Sequence, residues 1–307
     1  MQPLLTDMND LLAGVELGGT KCVCILGTGP DDIRARVVVP TGEPEQTLGK
    51  IESTLDQWRT DYGPVAALGI ASFGPLDLRP ESPRYGYILA TAKPGWRNTD
   101  VARRLGQRVT GPVGVDTDVN GAALAERRWG SAQGLDDFAY ITVGTGVGVG
   151  LIVAGRTVVG FSHTELGHLR TRRMAGDTWA GNCPFHRDCV EGIASGPSIA
   201  ARTGATPELL GPDHEVWESV AFALGELLQT LVLATAPRKI LLGGGVMTAR
   251  PHLFERICEH LGASLNGYVD TDAIEGGLAD YIAAPGLGAL AGPLGALAVA
   301  ADAYQRD

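Results

Sequence analysis

Residues 14–21 read GVELGGTK, and residues 143–150 read VGTGVGVG. In both stretches a Gly/Thr turn joins two apolar segments, which predicts a β-hairpin at each place. Small residues in such a turn expose backbone N–H groups that can form a concave site for phosphate oxygens. Thr20 and Thr145 would add hydroxyl groups to these sites, and Lys21 would add a positive charge. Either turn alone is also compatible with an ordinary tight hairpin. Two such turns, one in each half of the chain, favour a phosphate site.

The sequence contains neither of two standard nucleotide-binding motifs. A dinucleotide fingerprint needs glycine at relative positions 1, 3 and 6, and the sixth position counted from Gly144 is Val149. A Walker A loop needs Gly-Lys-Ser/Thr, whereas Gly49-Lys50 is followed by Ile51. The sequence therefore excludes both of these motifs.

Both halves continue from their hairpin into alternating strands and helices. In the first half ARVVVPT, VAALGIAS and GPVGVD predict strands, and the spacing of Leu48, Ile51, Leu55 and Trp58 predicts one face of a helix over 45–62. Further helices are predicted over 100–109 and 120–129. In the second half KILLGGG predicts a strand, and helices are predicted near 191–203 and over 214–235, 252–265 and 290–304. The chain therefore predicts two α/β halves around a cleft.

Composition and charge narrow the class of protein. The chain has 25 basic and 35 acidic residues, a net charge of −10, which disfavours nucleic-acid binding because that needs a basic face. Five cysteines are an odd number for a disulfide scaffold and fit a reducing cytoplasm. The N-terminal stretch is acidic rather than basic, so we expect no signal peptide. Residues 281–301 carry no charge, but Pro285, Pro293 and several glycines indicate a buried loop and a helix rather than a membrane span.

Eight blocks of the sequence resemble sugar kinases of the repressor–open-reading-frame–kinase (ROK) family, most closely its bacterial fructokinase branch. They occur in the family's order from about Ala13 to Tyr304: GVELGGTK, GIASFGPLDL, YGYILATAKPGW, DTDVNGAALAE, VGTGVGVG, HTELGHL, CPFHRDCVEGIASGP and LLGGGVM. The family also contains repressors, which carry a helix-turn-helix before the first glycine motif. Only about 13 residues precede that motif here, which favours a kinase.

The resemblance implies a fold and its division into domains. It implies two actin-like, ribonuclease H-like α/β domains of the hexokinase superfamily around a central cleft. We expect an N-terminal domain over 1–118 and a C-terminal domain over 119–289 with a metal-binding loop at 162–190. We expect residues 290–307 to form a helix that packs back on the N-terminal domain.

The resemblance assigns the general base to Asp118. Transfer of a phosphoryl group to a sugar hydroxyl requires a carboxylate that accepts the hydroxyl proton. From its place between a predicted strand and helix alone, Asp118 could equally be an ordinary helix N-cap. Asp116 is expected to be structural. Many relatives have Asn where this chain has Thr117, a departure that bears on sugar orientation.

The resemblance also implies which residues meet the substrates. ATP would be held by Gly18, Gly19, Thr20, Lys21, Gly144, Thr145, Gly146, Gly243 and Gly244, with Glu16 near Mg²⁺ through water. The sugar would contact Gly74, Thr117, Asp118, Glu165, His168 and Glu191. For Glu16 a solvated strand-end carboxylate is an equal alternative, and the glycines after KILL could form a plain turn.

Four residues have the types and spacing of a metal site. Cys183, His186 and Cys189 lie at intervals of three, and His168 comes 15 residues earlier. Two thiolates and two imidazoles suit a closed tetrahedral zinc site of structural type. Relatives place cysteines and glycines between the outer cysteines, where this chain has a histidine. An unmetallated loop with two free thiols is the alternative. Arg170, Arg172 and Arg173 in the same loop are expected to be solvated.

The sequence thus predicts an ATP-dependent hexose kinase that phosphorylates the 6-hydroxyl of D-fructose. The alternatives are a kinase for glucose, mannose or an N-acyl hexosamine, or a sugar-sensing regulator without a DNA-binding module. A zinc hydrolase is disfavoured because protein residues fill all four metal positions. We expect ATP, Mg²⁺ and structural Zn²⁺ to bind, and no nucleic acid or membrane. A cytoplasmic homodimer is expected. We also expect loss of zinc to impair sugar recognition before ATP binding, because the glycine turns lie elsewhere in the sequence.

Overall fold

A computed structural model describes residues 10–270 and 277–306 of the chain. They form two compact units. Unit 1 comprises the described residues up to Gln133, the short segment Val159–His163, and the described residues from Ala289 onward. Unit 2 comprises Gly134–Val158 and the described residues between Thr164 and Gly288. Each unit is described by itself below.

The secondary-structure elements alternate along the chain as expected. The strands are β1 (Leu12–Leu17), β2 (Lys21–Gly29), β3 (Asp32–Pro40), β4 (Ala67–Ser72), β5 (Tyr87–Ile88), β6 (Thr99–Asp100), β7 (Val113–Thr117), β8 (Phe138–Val143), β9 (Val147–Val153), β10 (Arg156–Thr157), β11 (Ile240–Gly243) and β12 (Ile282–Ala283). The helices are α1 (Pro44–Tyr62), α2 (Ala102–Gly106), α3 (Asp118–Trp129), α4 (Val190–Ala194), α5 (Gly196–Thr203), α6 (Val216–Thr235), α7 (Gly245–Ala249), α8 (Leu253–Leu265), α9 (Gly277–Tyr281) and α10 (Ala291–Arg306).

The two units have sheets of the same topology. Unit 1 has the strand order β3-β2-β1-β4-β7, and unit 2 has the order β10-β9-β8-β11-β12. In both, the first three strands along the chain are antiparallel and the last two are parallel to the first. The glycine turns of the sequence are the β1–β2 and β8–β9 hairpins. The predicted α/β fold class is therefore confirmed, and the two units share one strand order.

A row of three glycines brings one helix onto the sheet of unit 1. Gly14, Gly69 and Gly114 lie side by side in the register of β1, β4 and β7. A Cβ atom on Gly69 would lie only 1.9 Å from the carbonyl oxygen of Ala296, and one on Gly14 would lie 2.8 Å from the backbone nitrogen of Leu297. Helix α10 therefore packs directly on the sheet backbone at this row. Its own Gly295 lies against the backbone of Gly121 in α3.

The packing of α10 explains why unit 1 extends beyond residue 118. Helix α3 packs against α10 and against β4 and β7, so it belongs to unit 1. The chain leaves unit 1 only after Gln133. Helix α10 itself packs on β1, β4 and β7, which places it in unit 1 although unit 2 precedes it in sequence.

The helical part of the uncharged segment and the most apolar helix are both buried, whereas residues 284–290 are exposed or half-buried, so the expectation of a buried loop is wrong. Residues 291–301 of the charge-free stretch lie in α10, whose residues Leu294, Leu297 and Ala300 are fully buried. Among the described residues, α6 is the one helix long and apolar enough to cross a membrane, and 72% of its apolar window is buried inside the protein. Helix α6 carries core side chains of unit 2, including Trp217 and Leu224.

We expect Gly69→Ala to lower the free energy of unfolding by about 1–3 kcal/mol or more, because the added methyl group meets the backbone of α10. Chemical denaturation measures this change. The matched control is Gly49→Ala within α1, where a Cβ atom has no heavy atom within 4 Å. That control should be neutral or stabilising, because alanine favours a helix over glycine. Equal stability of the Gly69→Ala variant and the unmodified protein would contradict the packing described here.

Candidate functional site

The ends of three neighbouring strands bring the predicted residues of unit 1 together. Leu17, Ser72 and Thr117 lie side by side in the sheet, and each is the last residue of its parallel strand. The segments that follow are the glycine turn at Gly18, the turn that carries Gly74, and Asp118. The carboxyl edge of a parallel sheet is where ligands bind in open α/β folds.

Asp118 begins helix α3 but does not cap it. The cap is Thr117, whose hydroxyl accepts the N–H of Asn120 at 3.1 Å. The alternative interpretation of Asp118 as an N-cap is therefore wrong. One oxygen of Asp118 accepts the N–H of Val119 at 2.9 Å, and desolvation by the surrounding protein raises the pKa of Asp118. A carboxyl with a raised pKa at a strand–helix junction has the properties of a general base.

Asp116 has the structural role expected of it. It is 8% exposed, and its Oδ1 accepts the N–H of Thr117 at 2.8 Å and the side-chain amide of Asn120 at 2.7 Å. These bonds hold the first turn of α3 and so fix the position of Asp118. Thr117 keeps its hydroxyl proton available for donation while it accepts the Asn120 N–H.

Glu16 lies between Asp118 and the first turn of α10. A Cβ atom on Gly292 would lie 2.0 Å from Glu16 Oε1, so the longer side chain of Glu fits because residue 292 is glycine. Burial, and next the negative charge of Asp118, raise the pKa of Glu16 to about 7. Glu16 is therefore a half-buried carboxyl exposed to the negative charge of Asp118, rather than a solvated residue at a strand end.

The carbonyl groups of the first glycine turn are all bonded. Gly18 O accepts the hydroxyl of Thr41 at 2.7 Å, and Thr20 O accepts the N–H of Thr41 at 3.0 Å. Gly19 O accepts the ammonium group of Lys93 at 2.5 Å. Space within 4 Å of a Cβ atom on Gly19 is open. The turn is thus fixed on its carbonyl side and open above Gly19, as a phosphate site requires.

Lys93 is a residue of this turn that the sequence did not reveal. It lies in the block YGYILATAKPGW, but nothing in its spacing connects it to Gly19. Its loop is held by Trp96, which is fully buried and donates its indole N–H to Gly42 O at 2.9 Å. Lys93 places a second ammonium group, besides Lys21, at the turn.

The second glycine turn and the glycines after β11 meet in unit 2. Thr142 of β8 pairs with Gly243 of β11, so the two strands end side by side. Gly244 has φ +91°, and a Cβ atom there would lie 2.4 Å from Val143 O. Only glycine fits at 244, whereas the nearest atom to a Cβ on Gly144 is 3.9 Å away. The predicted nucleotide residues of unit 2 are therefore adjacent, and Thr145 is exposed beside them.

Glu191 ties the second glycine turn to the metal-binding loop. Its Oε2 accepts the N–H of Val147 at 3.1 Å, and a Cβ atom on Gly146 would lie 2.6 Å from the same oxygen. Gly196 also donates its N–H to Gly144 O at 2.7 Å. The second glycine turn lies elsewhere in the sequence, as expected, but it contacts residues that directly follow the metal-binding loop. The contact is tertiary, and sequence distance concealed it.

His168, Cys183, His186 and Cys189 converge into one cluster. Their ligand atoms all lie within 4.8 Å of one another. Cys183 Sγ and Cys189 Sγ each lie 3.6 Å from His168 Nδ1, and Cys183 Sγ lies 3.8 Å from His186 Nδ1. Tetrahedral zinc with ordinary bond lengths separates a sulfur and a nitrogen ligand by about 3.6 Å. The donor set therefore fits a zinc ion.

The rest of the metal-binding loop is held by ion pairs. Arg172 binds both carboxylate oxygens of Glu226 at 2.8 Å, and Glu226 is 6% exposed. Arg173 pairs with Asp177 at 2.9 Å, and Arg170 pairs with Asp188 at 3.3 Å. The expectation that these arginines are solvated is confirmed for Arg170 and Arg172, which stay exposed in their ion pairs, whereas the Arg173 side chain is only 24% exposed. In the same loop, exposed Glu165 precedes the helical turn Leu166–His168, which carries the ligand His168.

Comparison with known proteins identifies the family of the chain. Residues 12–303 match the sequence profile of the ROK family. The chain belongs to the ROK family. A fructokinase of Pediococcus pentosaceus is 40% identical to it, over 96% of this chain and 99% of that one.

Solved structures of ROK proteins have the same fold. The ROK hexokinase of Thermus thermophilus has a TM-score of 0.76 and 27% identity, covering 97% of this chain and 100% of that one. A ROK glucokinase of Streptomyces griseus, solved with glucose and AMPPNP, has a TM-score of 0.70 and 25% identity, covering 95% and 99% of the two chains. This ROK protein is an ATP-dependent sugar kinase.

The raised pKa of Glu16 predicts a dependence of stability on pH. The unfolded chain releases this proton near pH 4.5 and the folded protein near 7, so the Glu16 contribution to the free energy of unfolding falls as pH rises between these values. We expect Glu16→Gln to gain stability relative to the unmodified protein from pH 5 to pH 8, by on the order of 2–3 kcal/mol. Denaturation of the ligand-free proteins at a series of pH values measures this.

The control variant, Glu52→Gln, should change the free energy of unfolding in the opposite direction. The side chain of Arg104 donates to Glu52 and lowers the pKa of that carboxyl, which therefore stabilises the fold at neutral pH. Glu52→Gln should lose stability at pH 7, and the loss should shrink as the pH falls. A Glu16→Gln profile parallel to that of the unmodified protein would contradict the assignment.

Proposed function

We propose that this kinase transfers the γ-phosphoryl group of ATP to the 6-hydroxyl of D-fructose, with Asp118 as general base. The observation that carries the proposal is the place of Asp118 at the edge where three parallel strands end, beside Gly74 and the first glycine turn. The similarity to a fructokinase over nearly the whole chain supports the choice of fructose.

Asp118 would accept the proton of the sugar hydroxyl as that oxygen attacks the γ-phosphorus and ADP leaves. The raised pKa of Asp118 supports this role, because a more basic carboxylate takes a hydroxyl proton more readily. The bonds from Asp116 to the first turn of α3 would keep the carboxylate in place during the reaction.

The glycine turns would hold ATP. Both have open space where a phosphate must approach the backbone, above Gly19 and Gly144. Lys21 and Lys93 would neutralise phosphate charge at the first turn. Glu16 would lie near Mg²⁺ through water, and when bound this ion neutralises the charge that develops on the transferred group. Gly243 and Gly244 would complete the nucleotide contacts in unit 2.

Sugar recognition would rest on carboxylates and on one metal-bound histidine. Hydrogen bonds to the sugar hydroxyls are proposed for Glu165, Glu191 and His168, with the carboxylates as acceptors and the imidazole as donor. Thr117 is proposed to orient the sugar. Glu191 already accepts one N–H, but an ionised carboxylate has about four lone-pair positions and keeps capacity for a hydroxyl.

Zinc is proposed to occupy the cluster of His168, Cys183, His186 and Cys189. Burial raises the pKa of Cys189 to about 12, so without metal this thiol stays protonated at neutral pH. Zinc binding should therefore release protons. When bound, the ion would cross-link the metal-binding loop and hold His168 and the start of α4, where Glu191 lies.

ADP release measured with a panel of hexoses tests the proposal. Fructose should give the highest kcat/KM, above glucose, mannose and N-acetylmannosamine. Preference for another hexose would move the assignment to that sugar, and absence of turnover with every sugar would favour a sugar-binding regulator. Cytoplasmic localisation and a homodimer remain predictions.

We expect Asp118→Asn to lower kcat by ~10²–10⁴-fold while fructose binding measured by calorimetry changes little. The amide keeps the shape of the side chain but cannot accept the proton. The control is Asp302→Asn, which removes another carboxyl of raised pKa, on α10. Near-normal kcat in Asp118→Asn would remove the assignment of the base.

We expect Gly19→Ala and Gly144→Ala to fold normally but to raise KM for ATP by roughly 10-fold, about 1.4 kcal/mol of binding. The added methyl group enters open space in which a phosphate would lie. Gly211→Ala also adds a methyl group in open space and is the control, with unchanged KM. Unchanged KM for ATP in both turn variants would make these turns ordinary hairpins.

We expect Cys183→Ser to abolish bound zinc and to raise KM for the sugar by ~10–100-fold. Because Glu191 joins the metal-binding loop to the Val147 N–H, KM for ATP should rise as well. Elemental analysis and initial rates measure these changes. Cys258→Ser, outside the cluster, should leave both unchanged. Purified protein without zinc, or a metal-free variant with normal kinetics, would refute the proposal.

A further inference from the structure

His163 is a buried imidazole that the sequence resemblance does not assign. Its side chain is only 6% exposed, and its Nε2 accepts the backbone N–H of Leu76 at 2.9 Å. Leu76 is 1% exposed, so its N–H needs a partner within the protein. Accepting this bond requires the neutral ring to carry its proton on Nδ1.

The chain makes a short excursion to bring this residue into unit 1. Residues 134–158 and 164–288 belong to unit 2, whereas Val159–His163 belongs to unit 1. Val159 and His163 pair as an antiparallel bridge around a tight turn in which Gly160 donates to Ser162 O at 2.9 Å. His163 is thus the buried end of a hairpin whose tip, Phe161, is 95% exposed.

The segment that His163 holds is the one that carries Gly74. Strand β4 ends at Ser72, and the chain then turns through Phe73, Gly74 and Pro75 before Leu76. Backbone bonds fix both sides of this turn: Phe73 donates to Leu17 O at 2.9 Å, and Leu89 donates to Pro75 O at 2.7 Å. At Leu76 itself the acceptor is the imidazole, which replaces a backbone carbonyl. Ser72, which ends β4 just before this turn, pairs with Thr117, the residue that precedes Asp118.

We propose that His163 is a positioning residue for the acceptor sugar, because its imidazole fixes the turn that carries Gly74 next to Asp118. This inference rests on the proposed function, in which Gly74 lines the sugar site. His163 does not touch the reacting atoms. It acts through the Leu76 amide, and loss of the bond would leave that buried N–H unsatisfied and let the turn shift. A displacement of about 1 Å in such a site can cost 10²-fold in rate.

Two substitutions separate the hydrogen bond from the volume of the ring. The amide oxygen of glutamine is as many bonds from Cβ as Nε2 of histidine, whereas that of asparagine is one bond shorter. We expect His163→Asn to raise KM for fructose by ~10-fold or more, with KM for ATP changed less than about 2-fold. His163→Gln should restore most of the lost affinity.

A second histidine provides the matched control. His214 Nδ1 accepts the N–H of Val216 at 3.2 Å at the start of α6 in unit 2. His214→Gln removes a bond of the same imidazole-to-amide type, although a local and partly buried one, and should lower the melting temperature without raising KM for fructose. A purely structural role of His163 would give the same pattern as His214, a loss of stability with unchanged KM.

Hydrogen exchange gives a readout that needs no variant. In the unmodified protein the Leu76 amide should exchange slowly, and more slowly still with fructose, but not with ATP alone. The inference is overturned by fast exchange of Leu76, by an unchanged KM for fructose in His163→Asn, or by equal defects in the Asn and Gln variants. If the unmodified protein has no hexose-dependent ADP release, the proposed function fails and this inference fails with it. An active unmodified protein with insensitive variants removes the inference alone.

Discussion

The contact between α10 and the glycine row of Gly14, Gly69 and Gly114 is the constraint on which unit 1 depends. Without side chains on these residues the helix backbone lies directly on the strands. Because α10 packs so closely, Gly292 contacts Glu16 and Gly295 contacts Gly121 of α3, the helix that begins with Asp118. One close approach thus sets the positions of both carboxyl groups at the sheet edge.

In unit 2 the Cys/His cluster similarly fixes residues beside a glycine turn. Cys189 immediately precedes α4, and two residues later Glu191 reaches the N–H of Val147 beside the second glycine turn. Gly167, next to the ligand His168, packs so closely on Val147 O that a Cβ atom would lie 1.7 Å from it. The metal-binding loop therefore packs directly against the second glycine turn. The ion pair of Arg172 with Glu226 adds a contact between this loop and α6.

Local sequence patterns predicted the secondary-structure elements. The contacts that they missed join residues far apart in the sequence. Alternation around glycine turns predicted both hairpins, and the helical spacing of Leu48, Ile51, Leu55 and Trp58 matched the buried face of α1. Residue types at close spacing predicted the Cys/His cluster. The roles of Lys93 and Glu191 depend on partners 74 and 44 residues away, which no local pattern encodes. The start of α3 was missed because Thr117, rather than Asp118, supplies the cap.

The interrupted course of unit 1 along the chain has a consequence for how the protein folds. Residues 134–158 and 164–288 separate the strands of unit 1 from α10. During synthesis the strands emerge first and expose the glycine row, and the helix that covers it is made only after unit 2. Unit 2 is continuous apart from one five-residue excursion and can fold earlier. Contacts between residues so distant in sequence slow folding. The packing of α10 on the glycine row therefore has to wait until unit 2 has been synthesised.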